Sequence, residues 1–363
     1  MADDFIAELD AQVGLKEQER DVLAASGVRS YEDLHALVQA FPSIVQLGVE
    51  LPKLSNAAFV RVPDGFATYA EKADKDHAAV SFGALPPDEA SVTPGATVGI
   101  PAPLRRMMAM GPEADPIDLR LRTWPVRNQG DRGTCVAFGS VACAEHAAAG
   151  AGHSADLSEQ FLYWAIKTAT SDPYPQQDGT WLEFAAEALA SHGVCLETEW
   201  PYVGTIVNPV SGAAPGQPSV SAQASAATRR INASIHERNP RQAAKKVLDG
   251  LRRGRPVAIC LPVFRDPLAP NGPTNWTTSV GWAYGHVLNP PPTSKVTSGH
   301  CVCVVGYSPD ADEPAGGYFV IRNSWSTDWG SANPDPTSHA PEPGYGFVSA
   351  TYLNTYTWEI LQL

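Results

Sequence analysis

Between residues 1 and 60 the apolar positions fall into helix-length runs separated by polar or glycine breaks. The runs cover 3–13, 16–25, 31–40 and a shorter stretch over 53–59. Gly27 follows the second as a helix stop. Ser30, with Asp33 three positions on, predicts a capping box for the third. From 61 to 115 the pattern dissolves: Pro86-Pro87, Pro94-Gly95, Pro101 and Pro103 interrupt any helix, which predicts an extended linker lying along the next domain. Beyond 116, Cys135 opens an Ala-rich helix reaching to about 149, with Val136, Phe138, Val141 and Ala142 as packing positions. Apolar, strand-like runs follow at Pro256-Val257-Ala258-Ile259, at Cys301-Val302-Cys303-Val304-Val305 and at Tyr318-Phe319-Val320-Ile321. Two polar, Pro-rich stretches, 204–228 and 266–298, break this half and are candidate cleft walls. The expected organisation is a helical module over 1–60, a linker over 61–115 and an α+β domain over 116–363.

Composition narrows the partners. The 363 residues carry a net charge of -13 with no basic run, which argues against nucleic acid as the main partner. The turns Gly27-Val28 and Leu47-Gly48-Val49 resemble those of helix-hairpin-helix or death-fold-like modules. Residues 1–60 nevertheless hold ten acidic side chains against four basic ones, a field that opposes phosphate binding. A protein partner or a packing role fits that module better. No stretch approaches the ~20 apolar residues that span a bilayer, and Met1-Ala2-Asp3-Asp4 is acidic where an export signal is positive, so no membrane role is expected. Cys135, Cys143, Cys195, Cys260, Cys301 and Cys303 show no metal spacing; Cys301 and Cys303 share one face of a strand. Buried free thiols in a reducing, cytoplasmic setting are expected, with no metal or organic cofactor. Cys143 and His146 read as a packing and a surface residue.

The chemistry lies in four separated stretches: Gln129-Gly130-Asp131-Arg132-Gly133-Thr134-Cys135, Leu157-Ser158-Glu159-Gln160, Gly299-His300, and Asn323-Ser324-Trp325. A cysteine in the first turn of a helix sits at the positive end of the dipole, which favours thiolate. Cys, His and Asn are the parts of an activated sulfur nucleophile. The Gln129 amide is suited to donate to an oxyanion beside the Cys135 N–H, a contact worth roughly 3–4 kcal/mol in the transition state. An Asn323 carbonyl accepting from the imidazole fixes the ring and its tautomer. Trp325 is placed to shield that bond from water. His286 is the rival imidazole, but prolines follow it where a strand would continue.

With these motifs the chain resembles the papain-like cysteine peptidases over 116–363. The resemblance extends to Asp178-Gly179-Thr180-Trp181, to Gly193 through Tyr202, to Pro256-Val257-Ala258-Ile259, and to Gly344-Tyr345-Gly346-Phe347 as a final strand. It implies a two-lobe fold, a helical lobe carrying Cys135 and an antiparallel barrel-like lobe carrying His300 and Asn323, with the site in the cleft between. It further implies peptide-bond hydrolysis through a Cys135 thioacyl-enzyme with His300 as general acid and base, and substrate contacts at Gly179, Thr180 and Gly299. The substrate would be a peptide or protein. An acyl-transferring or deamidating enzyme on the same scaffold, or a regulatory protease recruited by its N-terminal module, is the alternative.

Several positions depart from the family pattern. Arg132 stands where a disulfide cysteine is usual, and its partner is missing near Gln176-Gln177. Val136 replaces an aromatic residue after the nucleophile. Thr180 replaces a glycine, predicting weaker backbone pairing with substrate. The Cys135-to-His300 separation exceeds the usual roughly 130–150 residues, and the two long loops absorb the excess. The Pro-rich chain entering the domain predicts that 61–115 occupies or borders the cleft and restrains activity.

Overall fold

The computed structural model describes residues 2–59, 61–63, 66–76, 80–87, 115–120, 124–150, 152, 155–205, 216–311, 313–333 and 342–363. The N-terminal helices form close to where the pattern puts them: α1 (Ala2–Val13), α2 (Glu17–Ala25), α3 (Tyr31–Ala40) and α4 (Leu51–Phe59). Gly27 takes φ +74° after α2, and the Ser30 hydroxyl accepts the Asp33 N–H at 3.1 Å. The reciprocal half of the capping box is replaced. The Asp33 carboxylate accepts the Arg29 N–H at 3.0 Å and meets His286 Nδ1 at 2.8 Å.

That exchange reflects where the module sits. Leu9, Leu23, Leu34, Leu37 and Phe41 bury against one another and against Val280, Ala283 and Leu288 of the following domain. Ser43 adds a backbone N–H to the Asp266 carboxylate at 2.7 Å, and the Arg29 guanidinium lies 4.1 Å over the Tyr318 ring. Its apolar face therefore packs on its own chain.

A fifth helix, α5 (Phe66–Asp76), forms inside the region that the sequence suggests is linker. No proline falls in it, and Ala, Glu and Lys are good helix formers. Phe66 stacks on Tyr284 with centroids 6.1 Å apart, and Lys72 lies 5.0 Å over Trp282. Val80 to Pro87 then run in extended form, while Pro94, Pro101 and Pro103 lie outside the described residues.

The remaining chain alternates β1 (Ile117–Asp118), α6 (Cys135–Gly150), α7 (Glu159–Ala169), α8 (Leu182–Ser191), α9 (Val220–Ala227), β2 (Ile235–Arg238), α10 (Ala243–Arg252), β3 (Val257–Arg265), α11 (Ser279–Tyr284), β4 (Lys295–Pro309), β5 (Gly317–Arg322), β6 (Tyr345–Ser349), α12 (Ala350–Tyr356) and β7 (Glu359–Gln362). The sheet order is β2-β7-β3-β4-β5-β6, with β1 added on β4, and every pairing is antiparallel. The fold is α+β with two lobes. Among the described residues the sheet is open, with β2 and β6 at its edges, and β6 is not the last strand because β7 returns between β2 and β3. The two loops read as irregular contain α9 and α11.

Strand alternation divides the core. Cys260, Cys301, Cys303 and Leu361 face α6, α7 and α8, while Ile259, Leu261, Val302, Val304, Phe319 and Ile321 pack with residues of α10 and α12 on the other face. The longest strand, β4, is central to this arrangement: it pairs with β1, β3 and β5 and carries one face toward each layer.

The Asp33–His286 contact is buried between the module and the domain. Burial opposes ionisation of Asp33, but His286 and Arg29 outweigh it and hold the carboxyl below its ordinary value. Removing one partner of a buried pair typically costs about 3–5 kcal/mol. Asp33→Ala is therefore expected to lower stability by that order in urea unfolding. With a depressed native pKa, the Asp33 contribution is fully present above the ordinary carboxylate value, about 3.9, and is lost as pH falls below it.

Candidate active site

The site is built where the N-terminus of α6 meets β4. Thr134 precedes the helix and its carbonyl accepts the Phe138 and Ala137 N–H groups, so Cys135 occupies the first turn. Cys135 packs beside Cys301, whose backbone N–H points toward the Cys135 sulfur. His300 immediately precedes Cys301 on β4, and Asn323 follows the end of β5. The structure thus gathers the sequence-predicted Cys135, His300, Asn323 and Gln129 into one place.

His300 Nε2 lies 2.8 Å from Asn323 Oδ1. The same oxygen accepts the Ser324 N–H at 2.8 Å, which fixes the amide orientation and makes His300 Nε2 the donor. The tautomer follows: Nδ1 carries the lone pair, and it has no hydrogen-bond partner. Trp325 stacks on the imidazole, 4.3 Å between centroids and 19° between planes. Trp276 meets it edge-on at 5.2 Å, and Phe82 does so at 5.8 Å. His300 is fully enclosed.

Gln129 is held from both ends. Its Nε2 donates to the Ser81 and Arg132 carbonyls at 2.9 Å each, and its Oε1 accepts the Ser324 hydroxyl at 2.6 Å. Backbone bonds from Gln129 N to Ser324 O and from Ser326 N to Arg127 O tie the two motif loops together. Ser324 therefore serves both Asn323 and Gln129. It stood inside the quoted Asn-Ser-Trp motif, but only the fold reveals its hydroxyl's partner.

Arg132, where a disulfide cysteine would be usual, is fully buried. Its Nη1 donates to Gln160 Oε1 at 2.7 Å and to the Val203 carbonyl at 2.9 Å, and its guanidinium sits between the Tyr163 and Tyr202 rings. Hydrogen bonds and stacking thus tether the loop that leads into Cys135. Trp276, inside a loop with no periodicity, gave no sequence signal.

The cleft holds a segment of the chain itself. Gly83 N and Ala84 N donate to Gly299 O at 3.1 and 3.0 Å, Leu85 N donates to Thr180 O at 3.0 Å, and Thr180 N donates to Gly83 O at 2.8 Å. The Ala84–Thr180 bridge is parallel. Gly179, at φ +87°, passes so close to Leu85 that a Cβ there would lie 3.0 Å from Leu85 Cδ2. A Cβ on Gly299 would lie 2.4 Å from Ala84 O. Gly179, Thr180 and Gly299 therefore do contact extended backbone. The Thr180 hydroxyl turns inward to Asp172 Oδ2 at 2.8 Å, while its N–H and C=O both bond to the segment.

Enclosure controls the ionisation. Burial, followed by the neighbouring Cys301 thiol, pushes the Cys135 thiol far above its ordinary value, against the N–H groups of Cys301, Gly83 and Val136. Burial also pushes His300 down to about 4, with the Asn323 hydrogen bond opposing. In this closed arrangement the pair is a neutral thiol and a neutral imidazole.

A family model described as papain family cysteine protease matches residues 114–333, more than half of the chain. Among solved structures the chain is similar to xylellain, a cysteine protease from Xylella fastidiosa, at 20% identity over 78% of this chain and 96% of that one, with a TM-score of 0.53. It also aligns with the digestive procathepsin L 3 of Tenebrio molitor larval midgut at 15% identity, over 100% of this chain and 99% of that one, with a TM-score of 0.47. At these identities the xylellain likeness is one of fold.

Because the thiolate is the reactive form, alkylation of Cys135 by iodoacetamide at pH 8 should be slow in the intact chain. The expected rate is at least about tenfold below that of an exposed cysteine. Peptide mapping that finds Cys135 modified as fast as an exposed thiol would contradict the closed arrangement.

Proposed function

The chain belongs to the papain family of cysteine proteases, a hydrolase family acting on peptide or protein substrates, and on that premise we propose that it cleaves peptide bonds with Cys135 as nucleophile and is held latent by residues 80–87. The observation that carries this reading is the extended segment in the cleft, bonded through its backbone to Gly299 and Thr180 beside Cys135. A groove that holds main chain in this way suits a peptide substrate of varied side chains.

In the open enzyme, His300 Nδ1 takes the Cys135 proton, and the thiolate attacks a peptide carbonyl. The Cys135 N–H and the Gln129 amide receive the negative charge on the carbonyl oxygen, with Ser324 holding the amide in its donating orientation. His300 returns its proton to the leaving amine, then activates a water to hydrolyse the acyl-enzyme. Asn323 keeps the ring in the required tautomer throughout.

The segment resists this chemistry for a geometric reason. Gly83 directs an N–H toward the Cys135 sulfur, where attack requires a carbonyl carbon, and Ser81 O already occupies the Gln129 donor. Latency follows from occupancy of the donors together with burial of the thiol.

Two experiments test the reading. A Cβ at position 83 would lie 2.0 Å from the Gly133 carbonyl oxygen, so Gly83→Val cannot seat the segment. The full-length variant is expected to turn over a fluorogenic peptide, and to take an epoxide thiol-protease inhibitor at Cys135, at least about tenfold faster than the parent, a shift of ~1.4 kcal/mol. Adding Cys135→Ala should abolish both signals, and adding Gln129→Ala should cut kcat by about 10²–10³. An inactive, folded Gly83→Val chain overturns the proposal.

The second test is pH. His300 has a native value near 4 in the closed state, against about 6.5 when solvated. Its depressed value favours closure above 6.5, and that contribution is lost as pH falls from 6.5 toward 4. Inhibitor labelling of Cys135 in the parent, assayed after return to one common pH, should grow with acid pre-incubation across this window. A flat profile would remove His300 from the control of opening.

A further inference from the structure

Five of the six cysteines lie at the interface between α6 and the sheet: Cys135 and Cys143 on the helix, and Cys260, Cys301 and Cys303 on β3 and β4. The nucleophile explains one of them. Cys143 Sγ and Cys303 Sγ are 3.4 Å apart, with one thiol on each lobe. Cys143 is a thiol at rest, because burial and the neighbouring sulfur push it far above its ordinary value.

Cys143 is buried, yet it lines a cavity of about 470 Å³ at the C-terminal end of α6, away from Cys135 at its start. His146, one helical turn along, lines the same cavity, together with Asn232, Ser234, Arg253 and Arg255. Burial holds the His146 imidazole below its ordinary value, so it stands as a neutral base. Arg253 donates to Gln362 Oε1 at 3.0 Å, and Arg253, Gly254 and Arg255 form an exposed rim. The cavity is therefore lined by a thiol, an imidazole one helical turn from it and two exposed arginines, with a second thiol 3.4 Å from the first.

We propose that this cavity is a thiol–disulfide exchange site, in which an anionic low-molecular-weight disulfide of the glutathione disulfide type converts Cys143 and Cys303 into an interlobe disulfide. Cys143 gives its proton to His146 and attacks one sulfur of the bound disulfide. That bond breaks, and the departing thiolate takes the proton. Cys303 then attacks the Cys143 sulfur and releases the second half of the disulfide as a thiol. Two protein thiols are oxidised and one small disulfide is reduced to two thiols. The crosslink ties α6, which begins with Cys135, to β4, which carries His300, so it staples the two lobes beneath the catalytic pair.

The test uses the full-length chain carrying Cys135→Ala, so that the nucleophile adds no chemistry. After incubation with glutathione disulfide, alkylation and digestion without reductant, mass spectrometry should find the Cys143 and Cys303 peptides joined, lighter by two hydrogens. The melting midpoint should rise by several degrees and return on reduction. Adding Cys303→Ala should leave Cys143 carrying glutathione as a trapped mixed disulfide, and Cys303→Ser provides the same reading if the alanine variant misfolds. Arg255→Glu should slow crosslinking by glutathione disulfide about tenfold and leave the rate with neutral hydroxyethyl disulfide unchanged. Cys143 recovered as a free thiol, or glutathione found on other cysteines alone, overturns the proposal. Equal slowing of both disulfides by Arg255→Glu overturns the anionic recognition.

Discussion

The structure depends on how closely α6 approaches β4. Gly139 faces Cys301 across that interface, and a Cβ there would come within 2.9 Å of the Cys301 sulfur. Small and thiol side chains at Cys135, Gly139 and Cys143, repeating every fourth position, let the helix settle directly on the strand. Two residues far apart in sequence, one at a helix start and one in mid-strand, are thereby brought to a shared site. Arg322 reinforces the contact from the next strand by pairing with Glu145 of α6 at 3.0 Å. A larger side chain at 139 would separate the lobes where the chemistry needs them joined.

Two opposing electrostatic effects act on Cys135, and their sizes decide the resting state. A helix N-terminus stabilises a thiolate by up to about 2 kcal/mol in favourable geometry. Complete burial can shift a titratable group by about 3–5 units, each worth ~1.36 kcal/mol. With Val80 to Pro87 in the cleft, burial prevails for both Cys135 and His300. Phe82 and the Gly83 N–H are part of that enclosure, the ring against His300 and the N–H toward the Cys135 sulfur.

The insertion between β3 and β4 links the site to the N-terminal module. Its Trp276 presses edge-on against His300, and its α11 shares an apolar core with α3 and Phe66 of α5. His286 lies in the same insertion and engages Asp33. The rival imidazole of the sequence is therefore a docking residue. The module reaches the site through one packed element on one side, and through the chain that leaves α5 for the cleft on the other.

The meeting of Cys135, His300, Asn323 and Gln129 at one place was legible in the sequence because the signal is carried by residue identity in local motifs: Cys135 at a helix start, Gly299-His300 on a strand, Asn323 before a tryptophan. Helices α1 to α4 were legible for a similar local reason, since caps and apolar spacing are set within a few residues. The remainder is long-range. That Ser324 holds Gln129, that Arg132 tethers the loop before Cys135 between two tyrosines, and that Thr180 turns its hydroxyl inward all depend on neighbours brought in by folding. The segment 80–87 shows the limit most clearly. Its prolines marked it as extended, but extended chain has no internal partners for its N–H and C=O groups. Where those groups would find their bonds, at Gly299 and Thr180, was decided only when the two lobes closed around it.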